Sequence, residues 1–190
     1  MITGHFGLAA GSKSVDHRAP LWSLMLATMW LDVIFVPLFL LNIETIDTPP
    51  SDGYGVSVIH ADYTHSLVGA LVLSAVFGAV AWWRWDRRLG LLLGAVAFSH
   101  WVLDLIVHRG DMPILPGNAG DLPLLGFGLW RVPIASIVLE AAFLVAGVFL
   151  YWRAARSLPS ESIGRVTPSL VAGTLLVSGA IVLILDILGI

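Results

Sequence analysis

Residues 89–107 read LGLLLGAVAFSHWVLDLIV, and the nature of this run decides the fold. A membrane span takes roughly 20 mostly apolar residues to cross ~30 Å of hydrocarbon, and this run has both the length and the composition. Comparable runs lie around it at about 21–41, 64–83, 132–152 and 167–189. Hydrophobic residues make up 57% of the 190, charged ones only 12%, and the mean hydropathy is +0.88, so little chain remains for a soluble domain. The expectation is an all-α integral membrane protein: one transmembrane helical domain over residues 1–190, with about five spans in a single bundle.

The chain has no cysteine, which excludes disulfides, thiolate-bound zinc and thiol nucleophiles. Its start, MITGHFGLAAGSKSVDHR, lacks the basic n-region and continuous apolar h-region of a cleaved signal. It therefore reads as part of the mature protein, and a short helix there would be re-entrant. The placement of Lys and Arg orients the bundle. Segments 1–20, 84–88 and 153–166 carry Lys13, Arg18, Arg84, Arg87, Arg88, Arg153, Arg156 and Arg165. The alternate segments 42–63 and 108–131 carry only Arg109 and Arg131, beside Glu44, Asp47, Asp52, Asp62, Asp111 and Asp121. That alternation predicts an N-terminus inside and a C-terminus outside. The two acidic segments are rich in Pro and Gly and long for connections, so they are expected to fold over the outer mouth. Trp22, Trp82, Trp83, Trp85, Trp130 and Trp152 sit near span ends as interfacial anchors, with Trp30 and Trp101 as exceptions. Nothing in the charge pattern points to nucleic acid; the lipid bilayer is the expected partner.

Inside the spans stand four acids, Asp32, Asp104, Glu140 and Asp186, with neither Lys nor Arg. An ionised carboxylate at mid-bilayer costs ~2.5–3.5 kcal/mol even on the mildest scale, so a compensating partner is required. A metal ion, bound protons or a hydrated cavity would each serve. Histidine narrows the choice. His100, Asp104 and His108 recur every four residues, a step that turns a helix by only ~40°, so the three make one stripe. Imidazole and carboxylate are the cysteine-free ligands that suit a divalent transition metal, zinc first among them. The same i, i+4 step lets the H-E-x-x-H helix grip zinc. At ~1.5 Å per residue from the inner basic anchors, Asp32 lies ~21 Å deep, His100 ~18 Å, Asp104 ~24 Å, His65 ~28 Å and His108 ~30 Å. Asp32, His65, His100 and Asp104 thus share a band in the outer half, with His108 at its rim. His5, ~12 Å from Lys13, falls below them and reaches Asp32 only if the N-terminus is tucked into the bundle.

Each of these residues also has a plainer reading. The stripe would line a hydrogen-bonded interhelical seam. Asp32 would be a protonated acid bonded to Thr28 or a backbone carbonyl, and His65 the polar start of its helix. Glu140 is either a ligand's partner or general base, or a protonated helix contact with Ser136. Arg109 and Asp111 at the mouth would orient an anionic substrate or pair with each other. Asp186 reads as hydrated near the outer end of the last span, and His17 and His60 as loop surface.

Taken together, these residues resemble a known family: the small bacterial inner-membrane proteins of the YdjM-like, LexA-binding group, membrane-bound metal-dependent hydrolases. The resemblance covers most of the chain. It rests on the early GH ending at His5, on LDVIFVP with Asp32, on YTHSL around His65, and on SHWVLDLIVHRGDMP with His100, Asp104, His108, Arg109 and Asp111. GLW at Gly128–Trp130 and VLE ending at Glu140 also fit. The resemblance implies a metal site, a hydrolase activity, a multi-pass place in the bacterial inner membrane and, from the group's name, a protein partner. The first-span acid stands alone in MWLDVIF rather than in a paired-acid context, which speaks against a two-metal version.

The expected function is metal-dependent hydrolysis of an ester or phosphoester, on a lipid-like substrate because of where the site sits. Asp32, His65, His100 and Asp104 would hold a zinc-like divalent ion, with His5 or His108 completing the shell. Glu140, or one of the two aspartates, would take the water's proton, and Arg109 would bind a head-group anion. Two other classes stay open. A proton- or metal-coupled transporter predicts a continuous polar path to both faces. A non-catalytic membrane subunit or adaptor predicts no metal.

Overall fold

A computed structural model describes residues 1–47, 54–158 and 167–189. Asp52 and Arg165, counted above in the charge asymmetry, lie outside these residues. The described chain is mainly helical: α1 (Ile2–Ser12), α2 (Leu21–Thr28), α3 (Trp30–Leu40), α4 (Leu67–Arg84), α5 (Arg87–Val107), α6 (Pro133–Arg156) and α7 (Pro168–Leu188). Helices α4 to α7 are each long and apolar enough to cross a membrane. Helices α2 and α3 make a fifth candidate span if taken as one, bent by 50° at Met29.

Local chemistry sets the ends. Ser66, Asp86 and Thr167 cap α4, α5 and α7 by accepting from the N–H groups of Gly69, Leu89 and Leu170. Pro133 and Pro168 occupy first-turn positions, where their missing N–H costs nothing. Ser66 also corrects one boundary. The apolar run suggests a helix from residue 64, but the cap starts it at Leu67, so Thr64 and His65 lie in the turn before it.

Helix α1 is the short N-terminal helix. It is too short to cross, yet it is buried along most of its length and packs on α6. Glycine permits the approach: a Cβ at Gly7 would overlap the Phe143 carbonyl, and one at Gly147 would overlap the Gly7 carbonyl. Thr3 Oγ1 donates to the Gly179 carbonyl of α7 at 3.1 Å, a second tether. At its far end the Lys13 ammonium donates to the carbonyls of His17 and Ala19, 2.7 and 2.6 Å away.

Two different ends result. At the basic end, Asp16 pairs with Arg18 (2.8 Å) and Arg88 (3.1 Å), and Arg18 reaches Asp86 (2.6 Å), clasping the 13–20 segment to the α4–α5 turn. Fully buried Ala9, Leu24, Ala27, Leu93 and Ala97 pack just inside it. At the other end the acidic segments fold into caps. One holds an antiparallel pair, β1 (Thr45–Asp47) with β2 (Val58–His60), in which Ile46 faces Ile59. The helical periods gave no sign of this hairpin.

Candidate metal centre

Five buried or half-buried donors converge between the two ends. Helix α5 supplies His100 and Asp104, stacked one turn apart. Its N-cap at Asp86 fixes their depth. Asp32 comes from the first turn of α3, just beyond the Met29 bend. His65 comes from the turn before α4, where Trp101 Nε1 donates to the His65 carbonyl at 2.8 Å. His5 comes from α1, its ring stacked on that of His100 with centroids 4.0 Å apart. The two tryptophans inside the spans are therefore structural donors: Trp101 holds His65, and Trp30 donates to Leu73 of α4.

The distances suit a metal. Asp32 Oδ1 lies 3.5 Å from both His65 Nε2 and His100 Nε2. Asp104 Oδ2 lies 3.0 Å from His100 Nε2 and 3.7 Å from His65 Nε2, and the two Nε2 atoms are 3.2 Å apart. Ligand bonds of about 2.0–2.1 Å in a tetrahedron put neighbouring ligand atoms ~3.3–3.4 Å apart, inside this spread. The other oxygen of Asp104, Oδ1, is 3.5 Å from His5 Nε2. Two overlapping ligand groups share His100: His5 with Asp104, and Asp32 with His65.

The opposite ring nitrogens carry a second argument. His100 Nδ1 is 2.6 Å from the Thr28 carbonyl, which the α2–α3 bend presents to it. His5 Nδ1 is 2.5 Å from the Met1 carbonyl. A carbonyl accepts only, so in His100 Nδ1 holds the proton and Nε2 is the nitrogen left for an ion, the tautomer a ligating imidazole needs. His5 Nε2 also lies 3.3 Å from the His100 carbonyl, so its ring is the least committed of the three.

His65 is oriented by a relay that sequence reasoning missed. Its Nδ1 lies 2.8 Å from Thr64 Oγ1, which in turn donates to buried Glu44, 2.9 Å from Oε2. Glu44 also accepts from the backbone N–H groups of Tyr63 and Thr64, both at 2.8 Å. In the sequence Glu44 reads as one more acid of an acidic loop, twenty residues before Thr64. No periodicity links the two.

The remaining expected residues stand apart from the donors. His108 ends α5 and lines the same cavity, but its Nδ1 pairs with Asp111 at 2.9 Å and its ring packs on Trp130. Arg109 does not face the cavity: its guanidinium donates to the carbonyls of Gly55 (2.5 Å) and Val56 (3.1 Å), which holds the hairpin segment down. Glu140 is fully buried, accepting from Gly4 N–H at 3.2 Å and from the Tyr54 hydroxyl, so it fixes the turn of α1 that bears His5. Ser136 bonds to the Leu129 carbonyl instead. His17 and His60 are exposed, but His60 lies in β2 rather than in a loop and pairs with Asp47 at 3.1 Å. Asp186, read as a hydrated end residue, lines the cavity wall.

A cavity of about 480 Å³ lies over the donors, roofed by Ile46, Tyr54 and Ile59 of the hairpin segment and walled by Phe35, Trp130 and Asp186. Asp32 is the most open donor, with its side chain 35% exposed against 7% or less for His5, His65, His100 and Asp104. No family model, curated protein or solved structure matches this chain.

Proposed function

We propose that the protein is a multi-pass membrane hydrolase that binds a divalent metal ion, zinc in the first place, and cleaves an ester or phosphoester of a lipid-like substrate. The observation that carries this reading is the convergence of three imidazoles and two carboxylates, with no Lys or Arg among them, on one cavity wall. Without a cation between them, carboxylates and unprotonated Nε2 atoms at 3.0–3.7 Å would repel in a setting of low dielectric. Asp32, His65, His100 and Asp104 would hold the ion. His5 would join them or steer Asp104 through its second oxygen.

A divalent ion held there supplies Lewis acidity, bringing the pKa of water toward neutrality and polarising an acyl or phosphoryl oxygen. Asp32, the most exposed of the donors, would take the proton of the attacking water through the carboxylate oxygen not given to the ion. Glu140 is not, because its oxygens are engaged by Gly4 and Tyr54. The hairpin roof limits bulk water. The Lys/Arg asymmetry supports an orientation with the N-terminal segment and the basic clasp inside and the hairpin outside, as a bacterial inner-membrane protein would have it. The transporter reading needs a polar path to the basic end, where Leu24, Ala27, Leu93 and Ala97 are fully buried and apolar.

The test is elemental analysis of gently purified protein. Stoichiometric metal in the wild type, lost in Asp104→Ala and His65→Ala variants that still fold, supports the site. A metal-free wild type removes the hydrolase reading and favours an adaptor bound to a protein partner.

A further inference from the structure

A second cavity, of about 340 Å³, lies between α1, α2, α6 and α7, lined by Phe6, Met25, Leu144, Val148 and Val182 among others. Its wall has one hydroxyl, that of Ser178, already donated to the Leu175 carbonyl at 3.3 Å. The two cavities are stacked along the bundle. Three helices each give a residue to both, four positions apart: Phe6 and Ile2 on α1, Met25 and Met29 on α2–α3, Val182 and Asp186 on α7. Four residues of helix rise ~6 Å, so on each of these helices the apolar cavity sits one turn nearer the basic end. Helix α7 packs on α6 and α1 and not closely on α2 or α3, which leaves a seam floored by α1.

We infer that this seam binds the hydrocarbon tail of a single-chain amphiphile whose ester lies at the His–Asp cluster and whose head group faces Asp186 and the hairpin. The inference rests on the hydrolase reading for what happens at the cluster. The stacking of the two cavities, one turn apart on three helices, says what would fill the lower one: a ligand reaching both must be apolar at one end and carry an oxygen function one turn above. Charge then selects the head group. The upper cavity carries the carboxyl groups of Asp32, Asp104 and Asp186 against the Met1 amino group alone, with no Lys or Arg side chain, since Arg109 is turned away onto the hairpin. One divalent ion leaves that wall without surplus positive charge. An uncharged or cationic head is accommodated there, and an anionic phosphate head is not. Cleavage would break the acyl C–O bond, add water's oxygen to the carbonyl carbon, and pass one proton to the departing alcohol.

The experiment uses the full-length metal-loaded protein in lipid nanodiscs and a dodecanoyl ester of choline with a diazirine near the end of its chain. After irradiation, the labelled residues are mapped by mass spectrometry. Labelling should concentrate on Phe6, Met25 and Val182. It should fall about tenfold in Ser178→Phe, which fills the groove, at unchanged metal content, while Leu176→Phe on the outward face of α7 has no effect. A dodecyl phosphate bearing the same diazirine should label the groove far less. Label spread over outward residues such as Leu176 and Ile184, or undiminished by Ser178→Phe, overturns the tail site. Equal labelling by the phosphate overturns the head-group assignment. The metal analysis above fails or succeeds independently: groove labelling in a metal-free protein keeps the tail site and removes the hydrolase, and bound metal with scattered label does the reverse.

Discussion

Thr64 contributes one hydroxyl, and that hydroxyl couples His65 to Glu44. Replacing it by valine keeps the shape but leaves His65 Nδ1 without its acceptor, so the ring is free to adopt the tautomer that cannot ligate. Losing such a partner typically lowers metal affinity about 10–100-fold. Chelator competition on Thr64→Val should show a loss in that range, with the fold retained because Glu44 keeps its two backbone donors. An unchanged affinity would remove His65 from the ligand set. At the basic end, Asp16 gives a pH prediction. The Arg18 side chain holds its carboxyl down to about 2 from an ordinary 3.8, against the opposing effect of burial. A depressed carboxyl stabilises the fold fully above its unfolded value and loses that contribution as pH falls through the folded one. Thermal melting should therefore weaken between 3.8 and about 2, and Asp16→Asn should flatten that part of the profile.

Among the elements, α1 is decisive and the least expected in its depth. Counting residues from Lys13 puts His5 about 6 Å below His100, whereas the structure stacks the two rings. The Lys13 stem explains the difference: it reaches to the carbonyls of His17 and Ala19, so the end of the helix sits deeper than the charge itself. The glycine seam with α6 holds the helix there. Gly147→Leu should therefore push α1 off α6, at a cost of about 1–3 kcal/mol for overpacking. Metal retention would drop while α4 and α5 stay packed. Gly173→Ala, where a Cβ meets nothing within 4 Å, is the matched control. If both variants bind metal like the wild type, α1 is dispensable to the centre.

For the molecule as a whole, the absence of cysteine makes topology directly measurable. A cysteine at exposed Asp121 should react with an impermeant maleimide on intact cells. One at exposed Arg87 should react only after the membrane is opened. The reverse pattern would invert the bundle and place the cavity on the other side.

The hydrophobic runs and the alternation of charge determined the helical architecture and the expectation of about five spans, because both follow from the cost of polar groups in hydrocarbon. The same cost singled out Asp32 and Asp104, and the four-residue step joined His100 to Asp104, since both effects are local to one helix. What needed the tertiary structure was everything that depends on chains meeting. Only packing could decide that α1 folds back to bring in His5, that His108 turns to Asp111, and that Arg109 serves the hairpin. The Glu44–Thr64–His65 relay likewise joins a loop to a turn through contacts with no periodic trace in sequence. The identity of His100 and Asp104 as donors is written in a single helix; the common centre is written in the glycine seam of α1 with α6 and in the Met29 bend that let the elements approach.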